Sequence, residues 1–271
     1  MKSFERIPPQ ADEFIKLIST LNPSWHIQFK EEHESTQIMA KKSFLAGNNN
    51  PTIFIVRTQS AGRGRRDRTW VSSPDGHDIT MTLMIPIDPE IGNVALLNLI
   101  GGLSATEAIS DYTSHDFNVK WPNDIFHGLC KIGGICSELH VDNLRRSVAM
   151  GIGMNVNSSR EEYSGVDSFY RIDTISSIMG RKMDIAWLVS EVAGHLQANL
   201  PLIHEKSFDE LERKWRRYDK TYKKAIRYRE HGGRWSEGIC GGITSDGYLI
   251  VLDKDGNLIK TLVEGDVVPI A

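Results

Sequence analysis

Cysteine, long apolar runs and an excess of charge of one sign are all scarce in this sequence. Only three cysteines, Cys130, Cys136 and Cys240, occur among its 271 residues. They are too few and too scattered for a disulfide framework or a metal-ligand cluster, which favours a reducing compartment. No apolar run approaches the ~18 residues of a membrane span, and the first residues lack the pattern of a signal peptide. We therefore expect a cytoplasmic protein with no membrane partner.

The formal net charge is only −3. General adhesion to nucleic acid or to an anionic membrane needs a positive field, so this charge argues against both kinds of partner. Apolar residues make up 40% and charged residues 25% of the chain, values that are ordinary for a globular protein. A chain of this length can bury a sizeable hydrophobic core.

Hydrophobic periodicity predicts an α+β fold. Helical spacing occurs at Phe14–Leu21, Val94–Ile109, Ile185–Leu200 (with Asp184 as cap) and Phe208–Tyr218. Strand patterns occur at Thr52–Val56, Ile79–Ile85, Phe117–Trp121, Lys131–Leu139 and Ser147–Met154. From about Tyr222, short alternating strands separated by Gly-containing turns indicate a small SH3-like β-barrel. We expect an N-terminal helical extension at 1–30, a central domain at 31–220 and the barrel at 221–271.

The most unusual segment is the loop from Gly62 to Trp70, which reads Gly-Arg-Gly-Arg-Arg-Asp-Arg-Thr-Trp. Glycines let a backbone pass close to a ligand, and arginines offer planar charged forks that match phosphate or carboxylate oxygens. The loop therefore predicts an anion cradle at the end of a strand. Because its four arginines repel one another, we expect disorder until anions bind. On this segment alone, a solvated basic loop or a contact to RNA remains the alternative.

A second segment, Lys120-Trp121-Pro122-Asn123-Asp124, ends a predicted strand. Seven residues further on, Lys131 begins a hairpin partner that can return a second lysine to the same place. Activating a carboxylate with ATP brings two anions together, and Lys131 can supply the cation between them, while Asp124 can hold Mg²⁺ on the phosphates or orient the lysine. Taken singly, Lys131 would be a solvated strand residue and Trp121 a core aromatic.

Five segments in order resemble the signature set of biotin-protein ligases: Glu34–Gln37, Gln59–Trp70, Lys120–Asp124, Lys131–Glu138 and Gly151–Asn157. The C-terminal barrel is similar to the small third domain of that family in pattern only. The resemblance implies a class II biotin/lipoate ligase-like catalytic domain, with a mixed sheet and helices, in the central part of the chain. It also implies the activity of a biotin–[acetyl-CoA-carboxylase] ligase. Such an enzyme uses ATP and Mg²⁺ to convert biotin to biotinyl-5′-AMP and then modifies a lysine of a biotin carboxyl carrier protein.

The resemblance assigns roles to individual residues. Those implied for biotin are Ser35, Thr36, Gln59, Gly62, Arg63, Trp70, Lys131 and Gly134. Those implied for ATP or the adenylate are Arg65, Arg68, Lys120, Asn123 and Asn155, while Lys131, Arg65 and Asp124 are implied for catalysis and Asp124 also for Mg²⁺. Two positions depart from the family pattern. Gln37-Ile38 stands where Asn-Gln is usual, and Asp67 stands where the loop usually has a small residue.

Partners and rival functions follow from the same features. About thirty residues precede the first motif, fewer than a winged helix-turn-helix needs, so we expect a short form without DNA binding; a homodimer is allowed. One rival is a lipoate- or octanoyl-protein ligase or transferase, whose pocket takes a linear acyl chain and would lack the full Gly-Arg-Gly-Arg-Arg run. Another is an RNA-binding protein that uses the arginine loop and the basic stretch Arg213–Arg229, which the net charge and the paired lysines oppose. That stretch more simply forms a solvated helix face or helps an acidic carrier domain to dock.

Overall fold

The computed structural model describes residues 11–66, 68–88, 93–166, 170–230 and 233–270. Its helices are α1 (Ala11–Leu21), α2 (Thr36–Leu45), α3 (Val94–Thr113), α4 (Ile175–Met179), α5 (Ile185–Asn199) and α6 (Phe208–Tyr218). The first eight strands are β1 (His26–His33), β2 (Thr52–Gln59), β3 (Ile79–Pro86), β4 (Asn118–Lys120), β5 (Asp124–His127), β6 (Cys130–Val141), β7 (Arg146–Met154) and β8 (Arg171–Ile172). The remaining strands are β9 (Ala225–Arg229), β10 (Ser236–Ile243), β11 (Leu249–Leu252), β12 (Leu258–Leu262) and β13 (Asp266–Pro269). The α+β fold that the periodicity predicted is confirmed.

The strands form a large mixed sheet and a small antiparallel one. In the large sheet the order is β1-β2-β3-β7-β6-β5-β4, and β8 pairs with β6. β1 is parallel to β2 and β8 to β6, while the other neighbours are antiparallel. In the small sheet the order is β12-β11-β10-β9-β13, which fits the predicted SH3-like unit. The predicted hairpin is present, with Asp124 opposite Gly134.

This topology brings the ends of many strands to one end of the large sheet. Met154, at the end of β7, is paired both with Ile79, at the start of β3, and with Gly133, near the start of β6. On the other side, the last residue of β2, Gln59, is paired with His33 at the end of β1. Each motif lies at or beyond one of these ends, so the motifs meet at one end of the large sheet.

The main core lies between the large sheet and helices α1, α3 and α5. Helix α3 is buried almost throughout from Leu96 to Ile109, and α1 adds Phe14 and Ile18. A smaller cluster, which includes Met39, Phe44 and Phe54, packs under α2. The periodicity of this sequence did not predict β1 or α2, because β1 is a largely polar edge strand and α2 has no clear apolar stripe. No helix in the described ranges has the length and apolar character needed to cross a bilayer.

A buried polar cluster joins α3, α5 and α6 away from the ends of the sheet. Glu107 is only 8% exposed, and its carboxylate lies 3.3 Å from Lys214 Nζ and 3.6 Å from His195 Nδ1. Asn199 Nδ2 donates to the same carboxylate at 2.7 Å. The hydrogen bond to Glu107 raises the pKa of His195, and the charges of Asp111 and Glu191 act in the same direction. Burial alone would raise the pKa of Glu107, but its hydrogen bonds and the Lys214 charge hold it below the ordinary value.

His195→Gln is expected to reduce stability at about pH 6 and to have little effect at about pH 8.5. Because the folded-state pKa of His195 is raised above 6.5, its contribution is fully present below that pH and is lost as the pH rises through the raised pKa. We expect an effect of about 1 kcal/mol or less, as for other partly exposed ion pairs. Urea unfolding at both pH values measures it, with the exposed His204→Gln as the matched control. Equal destabilisation by His195→Gln at both pH values would contradict the role of the charged imidazole.

Candidate functional site

A cavity of about 650 Å³ opens at the end of the large sheet where the motifs converge. It is lined by every residue predicted for the site except Gly62: Ser35, Thr36, Gln59, Arg63, Arg65, Arg68, Trp70, Lys120, Asn123, Asp124, Lys131, Gly134 and Asn155. Gly62 lies behind this lining, where the Trp70 backbone N–H donates to its carbonyl at 3.0 Å. A Cβ at position 62 would come within 2.3 Å of the Trp70 carbonyl oxygen. Glycine is needed here because it lets the loop close on itself.

One part of the cavity carries neutral hydrogen-bonding groups. Ser35 caps α2, and its Oγ accepts from the Gln37 N–H at 3.2 Å. The Thr36 N–H and hydroxyl donate to Gln59 Oε1 at 2.8 and 3.2 Å, and Thr82 donates to the Thr36 hydroxyl at 2.8 Å. Because a backbone N–H requires an acceptor, these bonds fix the orientation of the Gln59 amide and present its Nε2 as a donor. This set suits an uncharged polar ligand group.

The part of the cavity around Asp124 is charged, because this carboxylate lies between two lysines. Its Oδ1 is 2.6 Å from Lys131 Nζ and its Oδ2 is 3.1 Å from Lys120 Nζ. Burial by itself would raise the pKa of Asp124, but the two ammonium groups outweigh burial and hold it well below its usual range. Burial would likewise lower the pKa of Lys120, but the Asp124 charge holds it above its ordinary value. Asp124 and Lys120 are therefore charged near neutral pH, and two lysines share one carboxylate beside the cavity.

The contacts of Asp124 also bear on whether this carboxylate could bind magnesium. Magnesium takes octahedral oxygen ligands, usually one or two free carboxylates together with phosphates and waters. Both Asp124 oxygens already contact ammonium groups, and no group of three or more His, Cys, Asp or Glu side chains in the described ranges could hold a metal ion. These residues do not fit a protein-held magnesium ion. They fit the other role foreseen for Asp124, which is to orient the lysines.

Arg65 and Asn123 come from distant segments and meet at the cavity. Arg65 Nη1 donates to Asn123 Oδ1 at 3.0 Å, and Asn123 Nδ2 donates to the Ile135 carbonyl at 2.6 Å. Asn123 is thus held by β6 and holds the guanidinium in turn. Burial, followed by repulsion from Arg66, lowers the pKa of Arg65 below its ordinary value, but a guanidinium remains charged in proteins. Arg65 is therefore a fixed cation at the cavity wall.

The rest of the arginine loop contacts the small sheet. Arg68 Nη2 lies 2.9 Å from Asp266 Oδ1, and Arg66 lies 3.5 Å from Glu264 and 3.8 Å from Asp266. Asp266 also accepts from Arg229 Nε at 3.1 Å. Two carboxylates from the C-terminal segment therefore offset the mutual repulsion of the arginines, which the sequence-based expectation of disorder did not take into account. Asp67, the departure in this loop, lies outside the described residues.

Asp266→Asn is expected to increase trypsin cleavage within the arginine loop severalfold. The substitution removes the negative charge that pairs with Arg66 and Arg68, so the loop should open more often. Limited proteolysis with mass spectrometry of the fragments measures the rate, and Asp255→Asn in an exposed turn is the matched control. Cleavage no faster than in that control would mean that these ion pairs do not hold the loop.

Trp70 and Asn155 complete the cavity wall. The indole of Trp70 packs directly on Gly153, where a Cβ would come within 2.3 Å of the ring. Trp70 therefore lines the cavity, and Gly153 makes room for it. Asn155 is 4% exposed, and its Nδ2 donates to the Asp173 carbonyl at 3.3 Å, so its amide is held by the segment that precedes α4.

Sequence reasoning missed several residues of this site. Tyr163, Tyr170 and Asp266 also line the cavity, but they lie outside the motifs and only the tertiary fold brings them there. The sequence did contain a signal for Gln37, because a different residue is usual at this position in the family pattern. Its Nε2 donates to the Cys136 carbonyl at 2.6 Å and the Ala149 carbonyl at 3.2 Å. The longer amide therefore bridges β6 and β7 beneath the cavity.

Comparisons with known proteins agree with this geometry. Residues 29–155 match the model of the Biotin/lipoate A/B protein ligase family. The bifunctional ligase/repressor BirA of Bacillus spizizenii is 29% identical over 89% of this chain and 73% of its own length. The biotin–[acetyl-CoA-carboxylase] ligase of Mycobacterium tuberculosis is 25% identical over 80% of this chain and 78% of its own length.

A solved structure extends the match to nearly the whole chain. The biotin protein ligase of Aquifex aeolicus, determined with biotin and ATP, superposes with a TM-score of 0.73 and 26% identity. The superposition covers 90% of this chain and 98% of that structure, so it includes both sheets. The chain is therefore similar to the biotin/lipoate A/B protein ligase family over residues 29–155, and its fold resembles that of a biotin protein ligase over most of its length.

Proposed function

We propose that this chain is a biotin protein ligase, which activates biotin with ATP to biotinyl-5′-AMP and then transfers the biotinyl group to a lysine of a biotin carboxyl carrier protein. The observation that carries this proposal is a single cavity that joins the neutral groups of Thr36 and Gln59 to the charged set of Arg65, Lys120 and Lys131. The Aquifex aeolicus relative was determined with biotin and ATP, and both ligands suit such a divided site.

The neutral groups suit the ureido ring of biotin. This ring is uncharged and offers one carbonyl acceptor and two N–H donors. Gln59 Nε2 can donate to the carbonyl, while hydroxyl oxygens at Ser35 and Thr36 can accept from the N–H groups. A polar atom buried without a partner costs about 1–3 kcal/mol, so a ligand without the ureido ring should bind weakly. Trp70 can cover the apolar bicycle and exclude water.

The cations suit the first half-reaction. A biotin carboxylate oxygen attacks the α-phosphorus of ATP, an acyl C–O–P bond forms, the α–β phosphoanhydride bond breaks, and pyrophosphate leaves. The carboxylate and the phosphate repel each other, so cations fixed beside both lower the barrier. Lys131 is held by Asp124 and Arg65 by Asn123. Neither group needs to reorganise during the step. Magnesium travelling with ATP would screen the phosphates, but no residue described here is assigned to hold it.

In the second half-reaction the lysine amine of the carrier attacks the acyl carbon of the adenylate. A C–N bond forms, the C–O bond to AMP breaks, and the amine loses its proton. Because the mixed anhydride is also open to water, the arginine loop and Trp70 must shield it. The name of the Mycobacterium tuberculosis relative supports the carrier subunit of acetyl-CoA carboxylase as the acceptor.

A direct assay tests the proposed function. The full chain is incubated with MgATP, a carrier domain and either biotin, lipoate or octanoate, and the carrier is analysed by intact-mass spectrometry. We expect a mass increase with biotin only, and none on a carrier whose acceptor lysine is replaced by arginine. Transfer of lipoate or octanoate in place of biotin would assign the chain to the other branch of the family and overturn the proposal.

A further inference from the structure

Tyr170 contacts groups of both sheets, among them the Phe126 ring of β5, whose centre lies 4.9 Å from its own. It lies immediately before β8, and its ring centre is 4.7 Å from Lys120 Nζ. Its hydroxyl donates to the Val267 carbonyl of β13 at 2.6 Å. Lys120 Nζ donates to that same carbonyl at 3.3 Å. A single carbonyl of the small sheet therefore accepts from both the tyrosine and the lysine.

Lys120 depends on such neighbours to keep one position. It is 5% exposed, so water cannot solvate its ammonium group, and a flexible four-carbon stem must be held by contacts. Asp124 takes one side at 3.1 Å, and the Phe126 ring lies at 5.4 Å. The carbonyls of Trp121 at 3.4 Å and Val267 at 3.3 Å also accept from Nζ, and the Tyr170 ring lies beside it. Removing Tyr170 would take away the ring beside the ammonium, so that Asp124 and the two carbonyls would hold it from fewer sides and its position would be less fixed.

Resting on the proposed function, we propose that Tyr170 is a positioning residue for Lys120 and that it couples the small sheet to the nucleotide-activating end of the cavity. The ring attracts the ammonium through its π face. The hydroxyl anchors the ring to β13. Because the hydroxyl proton is already donated to Val267, Tyr170 acts through Lys120 and not as a hydrogen-bond donor to the nucleotide.

Two substitutions in the full chain separate the ring from the hydroxyl. Tyr170→Phe keeps the ring over Lys120 and loses the bonds of the hydroxyl to the Val267 carbonyl and to the Lys120 ammonium, whereas Tyr170→Leu loses the ring and both bonds. Pyrophosphate release with biotin and MgATP gives kcat and KM. We expect kcat to fall about 3–10-fold in Tyr170→Phe and about 30–100-fold in Tyr170→Leu, from the usual strengths of a hydrogen bond and a buried cation–π contact. The KM for biotin should not change, because Thr36 and Gln59 are held by each other and by β3.

The matched control is Tyr112→Phe, which removes another tyrosine hydroxyl, the one that accepts from the Asp184 N–H at 3.4 Å away from the cavity. It should retain wild-type kcat. Equal kcat in Tyr170→Phe and Tyr170→Leu would overturn the positioning role of the ring. An increase in the KM for ATP with unchanged kcat in both variants would also overturn it, since it would show direct contact with the nucleotide.

An independent readout separates this inference from the proposed function. With ¹⁵N-labelled lysine, the buried Lys120 ammonium should give a slowly exchanging signal, assigned by its loss in Lys120→Met. The signal should persist in Tyr170→Phe and disappear in Tyr170→Leu. If wild type releases no pyrophosphate with biotin but shows this pattern, the proposed function fails and the positioning contact stands. If the signal is unchanged in Tyr170→Leu, the positioning contact fails, whatever reaction the wild type performs.

Discussion

Lys131→Ala is expected to lower the rate of biotinyl-AMP formation by about 10²–10³-fold, the usual cost of removing one preorganised group that stabilises developing charge. The ammonium is held 2.6 Å from Asp124 and lines the cavity. Without it, the biotin carboxylate and the α-phosphate would meet with one less cation beside them. Asp124 would also keep only Lys120 as a partner. Pyrophosphate release under saturating biotin and ATP measures the effect.

Two comparisons make this result specific to Lys131. Lys41→Ala changes an exposed lysine of α2 and should retain wild-type activity. Lys131→Ala should also transfer preformed biotinyl-AMP to the carrier at a rate much closer to wild type, because the second half-reaction does not bring the carboxylate and ATP together. A loss of less than about fivefold in adenylate formation would remove Lys131 from the proposed mechanism.

Arg65→Gly is expected to release biotinyl-AMP about 10–100-fold faster than wild type. Charge-assisted hydrogen bonds contribute roughly 1.5–3 kcal/mol, and each 1.4 kcal/mol is a factor of ten in affinity. Asn123 holds the Arg65 guanidinium at the cavity wall. Arg65→Gly therefore removes a cation that has a fixed position. Rapid filtration after a single turnover measures the labelled adenylate that escapes.

The escaped adenylate gives a second readout, since the free anhydride reacts with any accessible amine. A bystander protein should therefore be biotinylated by Arg65→Gly and not by wild type. Arg181→Gly, in an exposed turn, is the matched control for an arginine lost elsewhere. Normal retention of biotinyl-AMP by Arg65→Gly would show that Arg65 does not hold the intermediate.

Local signals in the sequence were sufficient for the fold class and for most of the residues that line the cavity. Alternating and helical patterns located most of the longer elements, and Asp184 was recognised as the cap of α5, where it accepts from the Trp187 N–H at 3.0 Å. The Gly/Arg loop and the Lys120–Asp124 segment were recognised because glycine, proline and paired charges have strong local effects on backbone and electrostatics. The contact between Lys131 and Asp124 followed from a short hairpin. Such a contact depends on few residues and can be predicted from spacing.

The partners of these groups were decided by the tertiary structure. Asp266 lies about two hundred residues from Arg68 in the sequence, and no local pattern links them. The roles of Trp121 and Gln37 also depended on packing. Trp121 is 1% exposed and donates to the Gly247 carbonyl of the small sheet at 3.0 Å, so it is a core residue that joins the two sheets.

The amino-acid sequence by itself thus determined which chemical groups stand at the strand ends, because residue type and short-range spacing set backbone geometry and charge. Only the folded chain decided how those groups are held. Asp124 is enclosed by two lysines, two arginines of the loop are neutralised from β13 and the residues just before it, and Lys120 shares the Val267 carbonyl with Tyr170. Burial strengthens the pairings around Asp124 and Lys120, and burial is a property of the whole fold.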